Sequence, residues 1–121
     1  MSSGFGGGGG GERSESMADF SIDERGGGED VGLSLAGDLD MSATFQLEPV
    51  LDRLLDSGPR ELVLDLGGVS FVDSSGLGLL IATHERARDA GVEMAIAGAR
   101  PEIQRVFRIA GLDGVLPVRP A

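Results

Sequence analysis

The chain has 121 residues, 40% of them hydrophobic and 25% charged, enough for one modest core and too few for two domains. Acidic side chains outnumber basic ones by 20 to 10, and the formal charge of −10 opposes attraction to nucleic acid or anionic lipid, leaving proteins or small molecules as expected partners. Every basic side chain is arginine and cysteine is absent, which excludes a Walker A lysine, a lysine Schiff base, disulfides and thiol chemistry.

No apolar run approaches the roughly 18 residues of a membrane span. The N-terminus lacks a basic region followed by an apolar one, so export is not indicated and a cytoplasmic location is expected. Residues 1–16, MSSGFGGGGGGERSES, join a glycine run to serine and charge and are expected to be disordered, with Met17 an alternative natural start. Phe20, Ile22 and Glu24 alternate with Ser21, Asp23 and Arg25, and Val31, Leu33 and Leu35 repeat at period two. Together they predict a hairpin with its loop around residues 26–30.

Gly37-Asp38-Leu39-Asp40 ends the second strand, and Asp40 or Ser42 is placed to cap a helix carrying Leu47, Val50, Leu51, Leu54 and Leu55. Pro49 implies that this helix either begins near Glu48 or is bent there, and Gly58-Pro59 ends it. Residues Leu62 to Phe71 read as a strand buried on both faces. Through Asp73-Ser74-Ser75-Gly76 it feeds a helix from about Ser74 to Ala90, stopped by Gly91.

Glu93 to Ala97 reads as a strand, and Pro101 opens a helix with Ile103, Val106, Phe107 and Ala110 on one face. Gly111 ends that helix and Val115 to Val118 forms a last strand. The order β-β-α-β-α-β-α-β predicts a small α/β domain, a mainly parallel sheet with an antiparallel N-terminal edge and at least three helices.

Ser74 lies at a helix N-terminus, where backbone N–H groups are unpaired and the dipole is positive. Either Ser74 or Asp73 caps the helix, or Ser74 is a phosphoacceptor whose added charge of about −1.5 to −2 would repel Asp73 and an acidic partner. A catalytic role fits poorly. The nucleophile elbow needs glycine where Val72 stands, and His84, ten residues on, lies about 15 Å along the axis.

One histidine and no cysteine argue against zinc, and no motif calls for a cofactor. The lysine of phospho-aspartate receivers is missing, so Asp65 is read as structural. Asp38 and Asp40 read as turn and cap before metal ligands. Gly76-Leu77-Gly78 lacks the rest of a dinucleotide fingerprint. Gly76 more plausibly lets another backbone approach, while Leu77 is either an apolar anchor for a partner or ordinary core.

Gly37-Asp38-Leu39-Asp40, Leu64-Asp65-Leu66, Phe71-Val72-Asp73-Ser74-Ser75-Gly76-Leu77-Gly78, Val106-Phe107 and Ala110-Gly111-Leu112 resemble the STAS domain of bacterial anti-sigma factor antagonists over residues 18–118. The resemblance implies a partner switch without enzymatic activity: the unmodified antagonist binds an anti-sigma factor that is also a serine kinase, freeing a sigma factor. Phosphorylation of the residue matching Ser74 turns binding off, and a PP2C-type phosphatase restores it. Asp40, Asp73, Ser75, Gly76 and Leu77 would form the partner surface with Ser74.

Many relatives continue into a C-terminal helix where this chain stops at Pro120-Ala121, a departure that could leave an apolar patch for a homodimer. The glycine-rich extension is also outside the family pattern. Competing readings are a non-phosphorylated STAS scaffold or transport-accessory subunit and, from a different class, a small enzyme or nucleotide-binding module. The missing lysine and isolated histidine argue against the last.

Overall fold

In the computed structural model, residues 13–17, 20–112 and 114–119 are described. Alternating apolar residues build the hairpin of β2 (Phe20–Gly27) and β3 (Asp30–Leu39), in which Ile22 pairs with Leu35 and Glu24 with Leu33. Its strands run further into the glycine-rich turn than the sequence predicts, leaving only Gly28 and Glu29 between them. Ahead of them Arg13–Met17 form β1, antiparallel to β2, so residues 13–16 are an edge strand and not part of a disordered extension. Residues 1–12 lie outside the described residues.

After the hairpin come α1 (Met41–Ser57), β4 (Glu61–Val72), α2 (Ser74–Asp89), β5 (Glu93–Ala97), α3 (Pro101–Ile109) and β6 (Val118–Arg119). The six strands lie in one sheet in chain order, antiparallel from β1 to β3 and parallel from β3 to β6. Right-handed crossovers that all step the same way across a sheet put their helices on one face.

Burial follows from that topology. Leu62, Leu64 and Leu66 of β4 are buried together with Leu33, Leu35, Met94 and Ile96, while Val63 is half-buried and Asp65 exposed. β4 is therefore buried on one face, which corrects the two-faced reading. On the other face Ser21, Asp23, Arg25, Gly32 and Ser34 remain partly or fully open.

α1 is continuous from Met41 and carries Pro49 inside it, so it does not start late near Glu48. Pro49 lies on the exposed side, and the bond it cannot donate would have gone to the carbonyl of Phe45, itself exposed. Leu47, Val50, Leu51, Leu54 and Leu55 are buried as their spacing requires.

The C-terminal part departs in two places. Ala110 is exposed as the C-cap of α3, whose buried residues are Ile103 and Phe107. Val115 and Leu116 turn back onto the Leu112 carbonyl, so only Val118 and Arg119 pair as β6. A charged contact also enters the core: Glu24, 8% exposed, accepts a bond from Arg53 of α1 at 2.8 Å.

Candidate functional site at the paired helix starts

Leu39 at the end of β3 pairs with Val72 at the end of β4, and the Asp73 N–H donates to the Leu39 carbonyl at 3.3 Å. The next residues, Asp40 and Asp73, are therefore neighbours, and each turns its strand into a helix. Asp40 Oδ1 accepts the Ala43 N–H at 3.0 Å, and Asp73 Oδ1 accepts the Gly76 N–H at 3.0 Å. Both caps have extended backbone and a short acceptor side chain, as the position demands. Of the alternatives the sequence leaves open, Asp40 caps α1 and Asp73 caps α2.

Ser74 is thus the first residue inside α2 and is exposed, and its hydroxyl makes no hydrogen bond among the described residues. The fold makes no use of its side chain. Ser75 is half-buried beside it.

Gly76 is buried, and a Cβ there would lie 2.3 Å from the Leu39 carbonyl oxygen and 2.9 Å from Leu39 Cγ. Glycine is needed because the first turn of α2 is pressed onto the end of β3, the close approach its sequence context suggests. Gly76 supports the surface from behind. Leu77 is half-buried and packs against the core, with part of its side chain left at the surface. At Gly78 a Cβ would meet nothing within 4 Å.

Three large apolar side chains near these helix starts are exposed: Met41, 58%, and Phe45, 72%, which escaped the sequence reading, and Phe71, 50%, which that reading placed in a strand buried on both faces. The signal was present in α1, because Met41 and Phe45 fall off the stripe defined by Leu47, Val50, Leu51 and Leu54. Asp38 is exposed and accepts the Ser70 hydroxyl at 3.3 Å, so it does not share the capping role of Asp40. The first ten residues of α1 and of α2 contain no arginine, leaving an acidic and apolar surface around Ser74.

His84 sits half-buried further along α2, and no group of three or more potential metal ligands occurs among the described residues. Nor, among them, is any helix long and apolar enough to cross a membrane. The arrangement is a free hydroxyl on a helix N-terminus, framed by carboxylates and apolar side chains, with the adjacent Asp73 carboxylate already bound to a backbone N–H. It suits recognition and modification better than nucleophilic attack.

Comparison with known proteins decides the family, since the profile described as Mlab, STAS domain matches residues 22–118. The chain belongs to the STAS-domain family of anti-sigma factor antagonists. It is 34% identical over 86 residues to an anti-sigma-B factor antagonist of Staphylococcus aureus, covering 71% of this chain and 80% of the relative. The putative anti-sigma factor antagonist BtrV of Bordetella bronchiseptica is 31% identical over 84 residues, covering 69% of this chain and 72% of the relative.

The crystal structure of an anti-sigma factor antagonist from Mycobacterium paratuberculosis superposes with a TM-score of 0.76 at 26% identity, over 84% of this STAS chain and 86% of the other. The mixed sheet with helices threaded between parallel strands is the fold it shares with that antagonist.

Proposed function

We propose that this STAS domain is a phosphorylation-controlled antagonist: with Ser74 unmodified it binds an anti-sigma factor that is a serine kinase, and so releases a sigma factor. Phosphorylation of Ser74 by that kinase ends the interaction, and a PP2C-type phosphatase reverses it. The single observation that carries this reading is the exposed Ser74 hydroxyl, which has no hydrogen bond among the described residues while Asp73 caps the helix.

A phosphoryl group at Ser74 would sit next to Asp73 and level with Asp40, in a region where neither helix offers an arginine in its first ten residues. Its charge would face an approaching partner unpaired, and like charges across an interface cost several kcal/mol. Asp40, Asp73, Ser75 and Leu77 complete the contact surface, with Gly76 holding its shape. The protein works in the cytoplasm as a binding switch and not as an enzyme.

Intact-mass spectrometry after incubation with ATP and each anti-sigma serine kinase of the source genome tests the proposal. One phosphate located at Ser74, absent from Ser74→Ala, is the expected result. A stable complex with one kinase and no phosphate on the chain would replace it by the non-phosphorylated scaffold reading.

A further inference from the structure

α1 and α2 start level with one another, because Asp40 and Asp73 follow a paired Leu39 and Val72 and cap their helices alike. Equal advances along the two helices therefore bring residues to the same height. Met41 and Ser74 each follow their cap by one residue, while Phe45 and Gly78 each follow by five. The bond from Arg86 of α2 to Asp52 of α1 keeps this alignment two turns further on.

At 100° per residue, Met41 and Phe45 fall within about 40° of the Asp52 stripe. They stand on the outward side of α1, the side from which Asp52 reaches α2. Gly78 and Ala82, both exposed and four residues apart, precede Arg86 on α2. The result is an apolar ridge, Met41 and Phe45, beside a low shelf of small residues that adjoins Ser74.

From this geometry, and resting on the function proposed above, we infer that the anti-sigma partner docks an apolar surface rimmed by basic side chains onto the Met41–Phe45 ridge and the Gly78–Ala82 shelf. The charge follows from the surroundings, since Asp40 and Asp73 cap the two helices, Glu48 is exposed on α1, and the arginines of the two helices begin only at Arg53 and Arg86. A second copy of the chain is the wrong occupant. An isologous contact would set this acidic border against itself on chains of formal charge −10. Large apolar side chains in a desolvated contact also carry most of the affinity of an interface, which makes Phe45 the anchor and the partner's complement to it a determinant of specificity.

Calorimetric titration of the full chain against each purified anti-sigma serine kinase of the source genome tests this. Phe45→Ser and Gly78→Leu are each expected to raise Kd at least tenfold, with Phe45→Leu retaining most of the affinity. Both positions are exposed, so circular dichroism should show an unchanged fold. Phe45→Ser binding like the parent while Ser74→Asp fails to bind would overturn the docking surface and leave the switch standing. Failure of the parent chain to bind any of the kinases would overturn both. A homodimer of the parent chain that Phe45→Ser disperses, seen by analytical ultracentrifugation, would give the ridge to a second copy and overturn the inference.

Discussion

Asp40 and Asp73 stand at the ends of adjacent parallel strands and make the same bond, each accepting at 3.0 Å the backbone N–H of the residue three positions ahead. The pair starts two helices level with one another and leaves Ser74 with no structural task. The freedom of the Ser74 hydroxyl thus depends on a cap made by its neighbour.

The caps make a direct prediction for stability. Asp73→Ala and Asp40→Ala should each cost about 1 kcal/mol, lowering Tm by about 4–8 °C in a domain of this size, and Asp73→Ser should restore most of that loss. Urea denaturation and thermal melts of the four proteins, parent included, would measure it. Equal stability of parent and Asp73→Ala would mean that Ser74 can take over the cap.

The two glycines of α2 should respond in opposite ways to the same substitution. In Gly76→Ala the new methyl collides with the Leu39 backbone, and a loss of about 2–4 kcal/mol is expected. In Gly78→Ala it enters open space on a helix, and a gain of about 0.5–1 kcal/mol is expected. Thermal melts that rank the two variants the other way would contradict the close approach of α2 to β3.

Glu24 lies among apolar neighbours on the helix-covered side of β2 and is reached there by Arg53, whose side chain is partly in solvent. Glu24→Ala should cost about 1–2 kcal/mol, between the values for exposed and for fully buried pairs. Glu24→Leu, which extends the row formed with Leu33 and Leu64, should recover most or all of it. Chemical denaturation of both variants would decide; a Glu24→Leu protein less stable than Glu24→Ala would show that the carboxylate is needed for more than filling space.

Much of this architecture can be read from the chain because local signals and packing agree. Periodicity marks α1, α2 and α3, and Glu93–Ala97 is a strand at the expected limits. Where local signals are ambiguous, the topology decides. The apolar stretch around Leu62 to Leu66 suits a strand buried on both faces, yet crossovers stepping one way leave Val63 and Asp65 on the open side. Pro49 usually interrupts a helix, but here the missing bond falls on the exposed side.

The site is legible to a similar degree. Asp73, Ser74 and Gly76 announce a strand-to-helix junction, whereas the choice between Asp73 and Ser74 as cap depends on side-chain geometry. Phe45 escapes notice because an aromatic residue in an amphipathic helix is ordinarily assigned to the core, and only its angular position reveals that it faces out.

The most direct measurement of the proposed switch is the affinity of the unmodified and the singly phosphorylated full chain for the anti-sigma serine kinase proposed to modify Ser74, by calorimetry at physiological salt. Phosphorylation at Ser74 should weaken binding about 100-fold or more, roughly 2.8 kcal/mol. Equal affinity of the two forms would contradict the account.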